Sequence, residues 1–145
     1  MTQKSLREVS LQLVLPATNA TLPETIRVED FAAEGTAIEY GFVDTNRMSV
    51  KYGTQGTATG WKNPNTTKYI EFRVRPASDI DKKLNLFTLS ESNTGMGILL
   101  KDRVMDVKIA SEQGFFRVVN ANVLGADPDY KTYRIELLQS IIGSL

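Results

Sequence analysis

Apolar and polar residues alternate in three separated segments: Arg47-Met-Ser-Val-Lys-Tyr52, Tyr69-Ile-Glu-Phe-Arg-Val-Arg75 and Val104-Met-Asp-Val-Lys-Ile109. A period of two sends successive side chains to opposite faces of a strand. One face then collects Met48, Val50, Tyr52, Ile70, Phe72, Val74, Met105, Val107 and Ile109. The other collects Arg47, Lys51, Arg73, Arg75 and Lys108 against only Glu71 and Asp106, although the whole chain has a formal net charge of zero. Such a basic face predicts a broad anionic partner.

The pattern continues on both sides of these segments. Residues 6–15 place Val9, Leu11 and Leu13 on one side and stop at Pro16, and residues 25–29 return as the second arm of an N-terminal hairpin. Ile38, Tyr40 and Phe42 share a face of a further strand, while 53–67, rich in Gly, Thr and Asn, reads as a long connection. Leu84, Leu86 and Thr88 or Leu89 predict a strand, residues 92–97 a flexible tip, and residues 98–100 the returning strand. The period then changes. Tyr130, Tyr133, Leu137, Leu138, Ile141, Ile142 and Leu145 fall on one helical stripe, with Asp127 as cap, Pro128 at the first position and Asp129 at the positive dipole end. The expected fold class is α+β: an N-terminal β-hairpin, an antiparallel sheet of about five strands, and a C-terminal amphipathic helix. One domain, 1–145, divides into the hairpin 1–29, the sheet 36–110, an extra segment 111–126 and the helix 127–145.

Composition narrows the chemistry. The chain has neither cysteine nor histidine, which removes disulfides, zinc-thiolate sites, imidazole ligands and nucleophiles activated by histidine. Paired carboxylates or lysine remain as an enzyme reading, without a recognisable constellation. The chain is therefore expected not to be an enzyme and to need no cofactor or metal. Gly95-Met-Gly97 lacks the third glycine of a phosphate loop, and Asp79-Ile-Asp81 lacks the glycine and terminal glutamate of a calcium loop, so these read as a flexible loop and a solvated turn. Trp61 in a polar stretch suits either base stacking or folding back over its own loop. No apolar run spans a bilayer and residues 1–7 lack the apolar core of a signal peptide, so no membrane partner is expected.

The order of these elements, with residues 25–40 and the segments 47–52, 68–76 and 104–109, resembles the coat proteins of single-stranded RNA bacteriophages. That resemblance implies a homodimer in which two sheets join edge to edge beneath crossed helices, and an icosahedral shell of such dimers around the genome. It implies RNA-hairpin binding by Arg47, Ser49, Lys51, Tyr69, Glu71, Arg73, Arg75, Asp106 and Lys108, serving translational repression and packaging. It also implies dimer contacts through Tyr130, Tyr133, Leu137, Leu138, Ile141 and Ile142. The expected location is the virion, after synthesis in the bacterial host cytoplasm. The alternative is a secreted pilus subunit that donates Val9, Leu11 and Leu13 to a neighbour and binds no RNA.

Overall fold

The computed structural model describes residues 9–18, 22–28, 38–90, 95–117 and 131–145. They form strands β1 (Val9–Leu15), β2 (Glu24–Arg27), β3 (Ile38–Phe42), β4 (Met48–Tyr52), β5 (Ala58–Lys62) and β6 (Lys68–Val74), helix α1 (Asp79–Leu89), and strands β7 (Met96–Asp102), β8 (Val107–Phe115), β9 (Lys131–Leu137) and β10 (Ile141–Gly143). Eight strands make one antiparallel sheet in the order β2-β1-β7-β8-β9-β6-β3, with β10 also on β8, and β4 and β5 form a separate two-stranded sheet. The class is α+β, with more strands than the pattern predicts.

Alternation explains the core. Leu11, Leu13 and Leu15 of β1, Ile70, Phe72 and Val74 of β6, Met96, Ile98 and Leu100 of β7, and Tyr133, Ile135 and Leu137 of β9 all point inward and are buried. The sheet curls on itself. Four strand spacings separate β7 from β3, about 19 Å in a flat sheet, yet the Tyr40 hydroxyl of β3 donates to Asp102 Oδ2 at the end of β7 over 2.6 Å. Helix α1 packs Ile80, Leu84 and Phe87 into this core, Phe87 lying 6.2 Å from Phe116 between ring centroids. Lys83 ties the helix to Glu24 of β2 at 2.6 Å, while the Tyr133 hydroxyl of β9 donates to Asp81 Oδ1 at 2.6 Å.

Several expectations are corrected. The expected C-terminal helix is two strands, because Tyr133, Ile135 and Leu137 alternate with Arg134 and Glu136 and fill a slot between β6 and β8. Backbone pairing on both edges outweighs the helical stripe that the same residues satisfy. Tyr133 and Leu137, expected at a dimer interface, are core residues at 5% and 1% exposure. Asp127, Pro128, Asp129, Tyr130, the bend at 30–35 and the tip residues 92–94 lie outside the described residues.

The strand expected at 84–89 is part of α1, and the "solvated turn" at Asp79–Asp81 is its first turn. Ser78 Oγ accepts from the Asp81 backbone N–H at 3.3 Å, and Asp81 Oδ2 accepts from the Ala77 N–H at 2.8 Å. Ser78 and Asp81 thus act as a variant of the capping box. Val104 and Asp106 belong to a turn rather than a strand: Asp102 Oδ1 accepts from the Val104 and Met105 N–H groups, and Asp106 has a φ of 55°. The expected long connection 53–67 contains β5. The strand of the pilus alternative, β1, is held between β2 and β7 of its own chain with Leu11 and Leu13 fully buried.

Candidate assembly surface

The basic face does not assemble as one surface. Arg47, Ser49 and Lys51 belong to the β4–β5 hairpin, outside the main sheet, and β9 separates β6 from β8. On the outer face of β6, Tyr69, Glu71 and Arg73 stand among Glu39, Thr132 and Arg134. The Tyr69 hydroxyl donates to Glu39 Oε1 at 3.1 Å, and Arg134 stacks 4.2 Å from the Tyr69 ring centroid. Burial and the adjacent Glu39 raise the Glu71 carboxyl above its usual range, against Arg134 and Arg73. Arg75 follows the strand at the turn into α1. Lys108 sits beside Lys101 on the outer face of β8 and β7, with Asp106 in the preceding turn. Mixed charge, rather than a shared basic stripe, characterises these positions.

A different arrangement stands out. Strands β4 and β5 project as an arm whose residues are all exposed. Directly opposed residues in an antiparallel pair share a face. The register Met48↔Lys62, Val50↔Gly60 and Tyr52↔Ala58 therefore gives one largely apolar face ending in Lys62, and Ser49↔Trp61 and Lys51↔Thr59 the other. Met48, Val50, Tyr52 and Trp61 are 55%, 48%, 75% and 51% exposed. The tip closes through Gly53–Thr57 backbone bonding, with Gly56 at a φ of 81°.

A polar clamp fixes the base of this arm. The Arg47 guanidinium donates to the carbonyls of Asn65 (2.5 Å), Asn63 (3.3 Å) and Asp44 (3.3 Å) and lies 4.0 Å from the Phe42 ring centroid. Asn63 Nδ2 donates to Asp44 Oδ2 at 2.5 Å and to the Asn46 carbonyl at 2.6 Å. Hydrogen bonds from Asn63 and from the Asn46 N–H, helped by Arg47, hold the Asp44 carboxyl below its usual range. Arg47, expected to meet phosphate, is thus committed to its own chain.

Beside the arm's base lies a groove of about 900 Å³ on the outer face of the sheet. Its floor includes Val14, Leu99, Ala110 and Ile141, and Leu138 stands beside them. The groove marks a fork: β9 pairs with β6 up to Leu137, and after 138–140 the same chain continues as β10 along β8 in unchanged register. At the fork the Leu138 N–H donates to the Gln113 carbonyl at 3.1 Å and Ser111 Oγ donates to the Gln139 carbonyl. Val14, Leu138, Ile141 and Ile142 are 47%, 57%, 79% and 50% exposed, so three of the residues expected in subunit contacts do face solvent.

Residue reading missed β5 and the groove. The glycines at 53 and 56 followed by Ala-Thr-Gly-Trp-Lys are a hairpin cue. The unbroken run Ile98-Leu99-Leu100 signals a strand apolar on both faces. Among the described residues no cluster of acidic side chains is placed to hold a metal, and no helix is long and apolar enough to cross a membrane. The chain matches no protein-family profile, and no curated protein has a matching sequence.

Proposed function

We propose that this chain is a structural subunit that assembles with copies of itself. The observation that carries the proposal is the arm: an apolar, solvent-facing ribbon held rigid by a polar clamp. Exposed apolar surface of this kind marks interaction sites, and a pre-organised element loses less entropy when it docks. The exposed Val14, Leu138 and Ile141 of the outer groove add a second apolar area.

The form expected from the coat-protein resemblance is a closed shell of dimers around RNA, made in the bacterial cytoplasm and resident in the virion. The N-terminal hairpin β1–β2 and the alternating strand β6 of the main sheet support that form. RNA contact through Arg73, Arg75 and Lys108 belongs to it but draws no support from a common basic face.

Electron microscopy and sedimentation of the purified chain test the proposal. Uniform particles are expected for the native sequence. Val50→Asp, a change at an exposed position, leaves thermal melting within about 0.5 kcal/mol and reduces assembly sharply. A chain that stays monomeric at all accessible concentrations refutes the proposal.

A further inference from the structure

Among the described residues, two apolar surfaces, the arm and the groove, have no partner within the chain and differ in shape. We infer that the arm of one copy seats its Met48, Val50 and Tyr52 face in the outer groove of a second copy. This inference rests on the self-assembly reading and specifies its contact.

Shape favours the match. The arm is a two-stranded ribbon with an apolar face, and the groove floor is the outer face of a sheet. The pairings Gln12↔Leu99, Leu99↔Ala110 and Ala110↔Ile141 align a mostly apolar row across that floor. Two such surfaces pack face to face about 10 Å apart. Gly60, opposite Val50, and Ala58, opposite Tyr52, keep the ribbon face low, so the larger side chains of β4 protrude. On the groove side, Gly97 pairs with Val14 and leaves room for the Val14 side chain, whose Cβ a side chain at 97 would approach to 3.1 Å.

Charge fixes the orientation. The only charged side chain on the apolar face of the ribbon is Lys62. Among the described residues, the groove is lined by two charged side chains, Lys68 and Glu112. The Lys68 ammonium lies 4.8 Å from the Phe42 ring centroid and 3.4 Å from the Thr66 carbonyl. Glu112 is exposed on the outer face of β8, two residues from Ala110. A ribbon that lays its apolar face on the floor brings one cation to a groove whose anion is Glu112.

The arm does not cover the groove of its own chain, since both surfaces are exposed in the single copy. The contact joins unlike surfaces, so it is distinct from a two-fold dimer contact; repeated with closure it links copies into the rings of a closed particle.

Charge reversal tests this contact in the intact chain. Lys62→Glu and Glu112→Lys each place like charges at the interface, and each is expected to raise the concentration needed for assembly by at least about tenfold. The double variant, which exchanges the two charges, is expected to assemble within about threefold of the native chain, since the pair is restored with reversed sign. Circular dichroism and thermal melting confirm that each variant is folded, both positions being exposed. If the native chain assembles and the single variants assemble equally well, or if the double variant is as impaired as the singles, the arm-in-groove contact is wrong and self-assembly stands. If the native chain remains monomeric, both are overturned.

Discussion

Tyr133 shows how one hydroxyl can fix a helix to a sheet. Its ring lies in the core, stacked 5.8 Å from the Phe72 centroid, while its hydroxyl donates to Asp81, which also meets Lys131 Nζ at 3.2 Å. Burial alone pushes the Asp81 carboxyl up; the Tyr133 hydroxyl, the Ala77 N–H and Lys131 together outweigh it and hold the carboxyl below its usual range. Burial and the Asp81 carboxylate push the Tyr133 phenol well up. Tyr133→Phe should cost about 1–3 kcal/mol by urea unfolding, since it leaves a buried carboxylate one donor short. The depressed Asp81 pKa adds stability above its unfolded value of about 4, and this contribution is lost as pH falls through the lower folded value. Asp81→Asn should flatten that acid limb of the stability profile, while an unchanged limb would show that Asp81 is not its source.

At the scale of elements, the arm and its clamp separate local order from global stability. Asn63→Ala removes the donors to Asp44 and Asn46 without touching the main core. Hydrogen exchange across β4 and β5 is expected to accelerate while the melting temperature moves by only a few degrees, and assembly is expected to weaken with the loss of pre-organisation. Equal exchange in both proteins would place the arm's rigidity elsewhere. The same element shows what residue pattern conveys. Alternation marked β1, β3, β4, β6 and the first residues of β8, because those segments repeat every second residue. It did not show that β4 leaves the main sheet, since a half-buried strand and a solvated ribbon share one period. The C-terminal tract satisfied two periods at once, and only its neighbours on β6 and β8 decide between them. The helix α1 carried its signal twice, in the cap at Ser78 and Asp81 and in the i, i+4, i+7 spacing of Ile80, Leu84 and Phe87. The candidate site was legible only in fragments: Leu138 and Ile141 stood out as apolar residues for subunit contact but on a helix that is not there, while Val14, Leu99 and Ala110 meet only through pairing between distant strands.

At the scale of the whole molecule, the curl of the sheet brings β3 to the end of β7, and Tyr40 and Asp102 form the latch. Burial first, then the hydrogen bond and charge of Asp102, push the Tyr40 phenol up to about 12. A raised folded pKa means that this stabilisation is complete below the unfolded value of about 10 and is lost as pH rises through about 12. Tyr40→Phe is expected to lower stability by about 1 kcal/mol at neutral pH and to reduce the loss seen between those two values. Identical alkaline profiles for the two proteins would show that the curl does not depend on this latch.

The place of β9 in the strand order bears on when the molecule can fold during its own synthesis. Strands β1, β2, β7 and β8 form one set of neighbours and β3 and β6 another, and among the described residues β9 alone pairs with both sets. A nascent chain that has emerged only as far as residue 117 therefore carries two incomplete half-sheets, each with an open edge beside a partly formed core. Such edges are the sites at which unfinished chains pair wrongly. Translation past Leu137 acts as the closing event, converting two sticky halves into one continuous sheet. The groove itself comes later still, because the fork that shapes it does not exist until β9 has joined β6 and β10 has continued along β8.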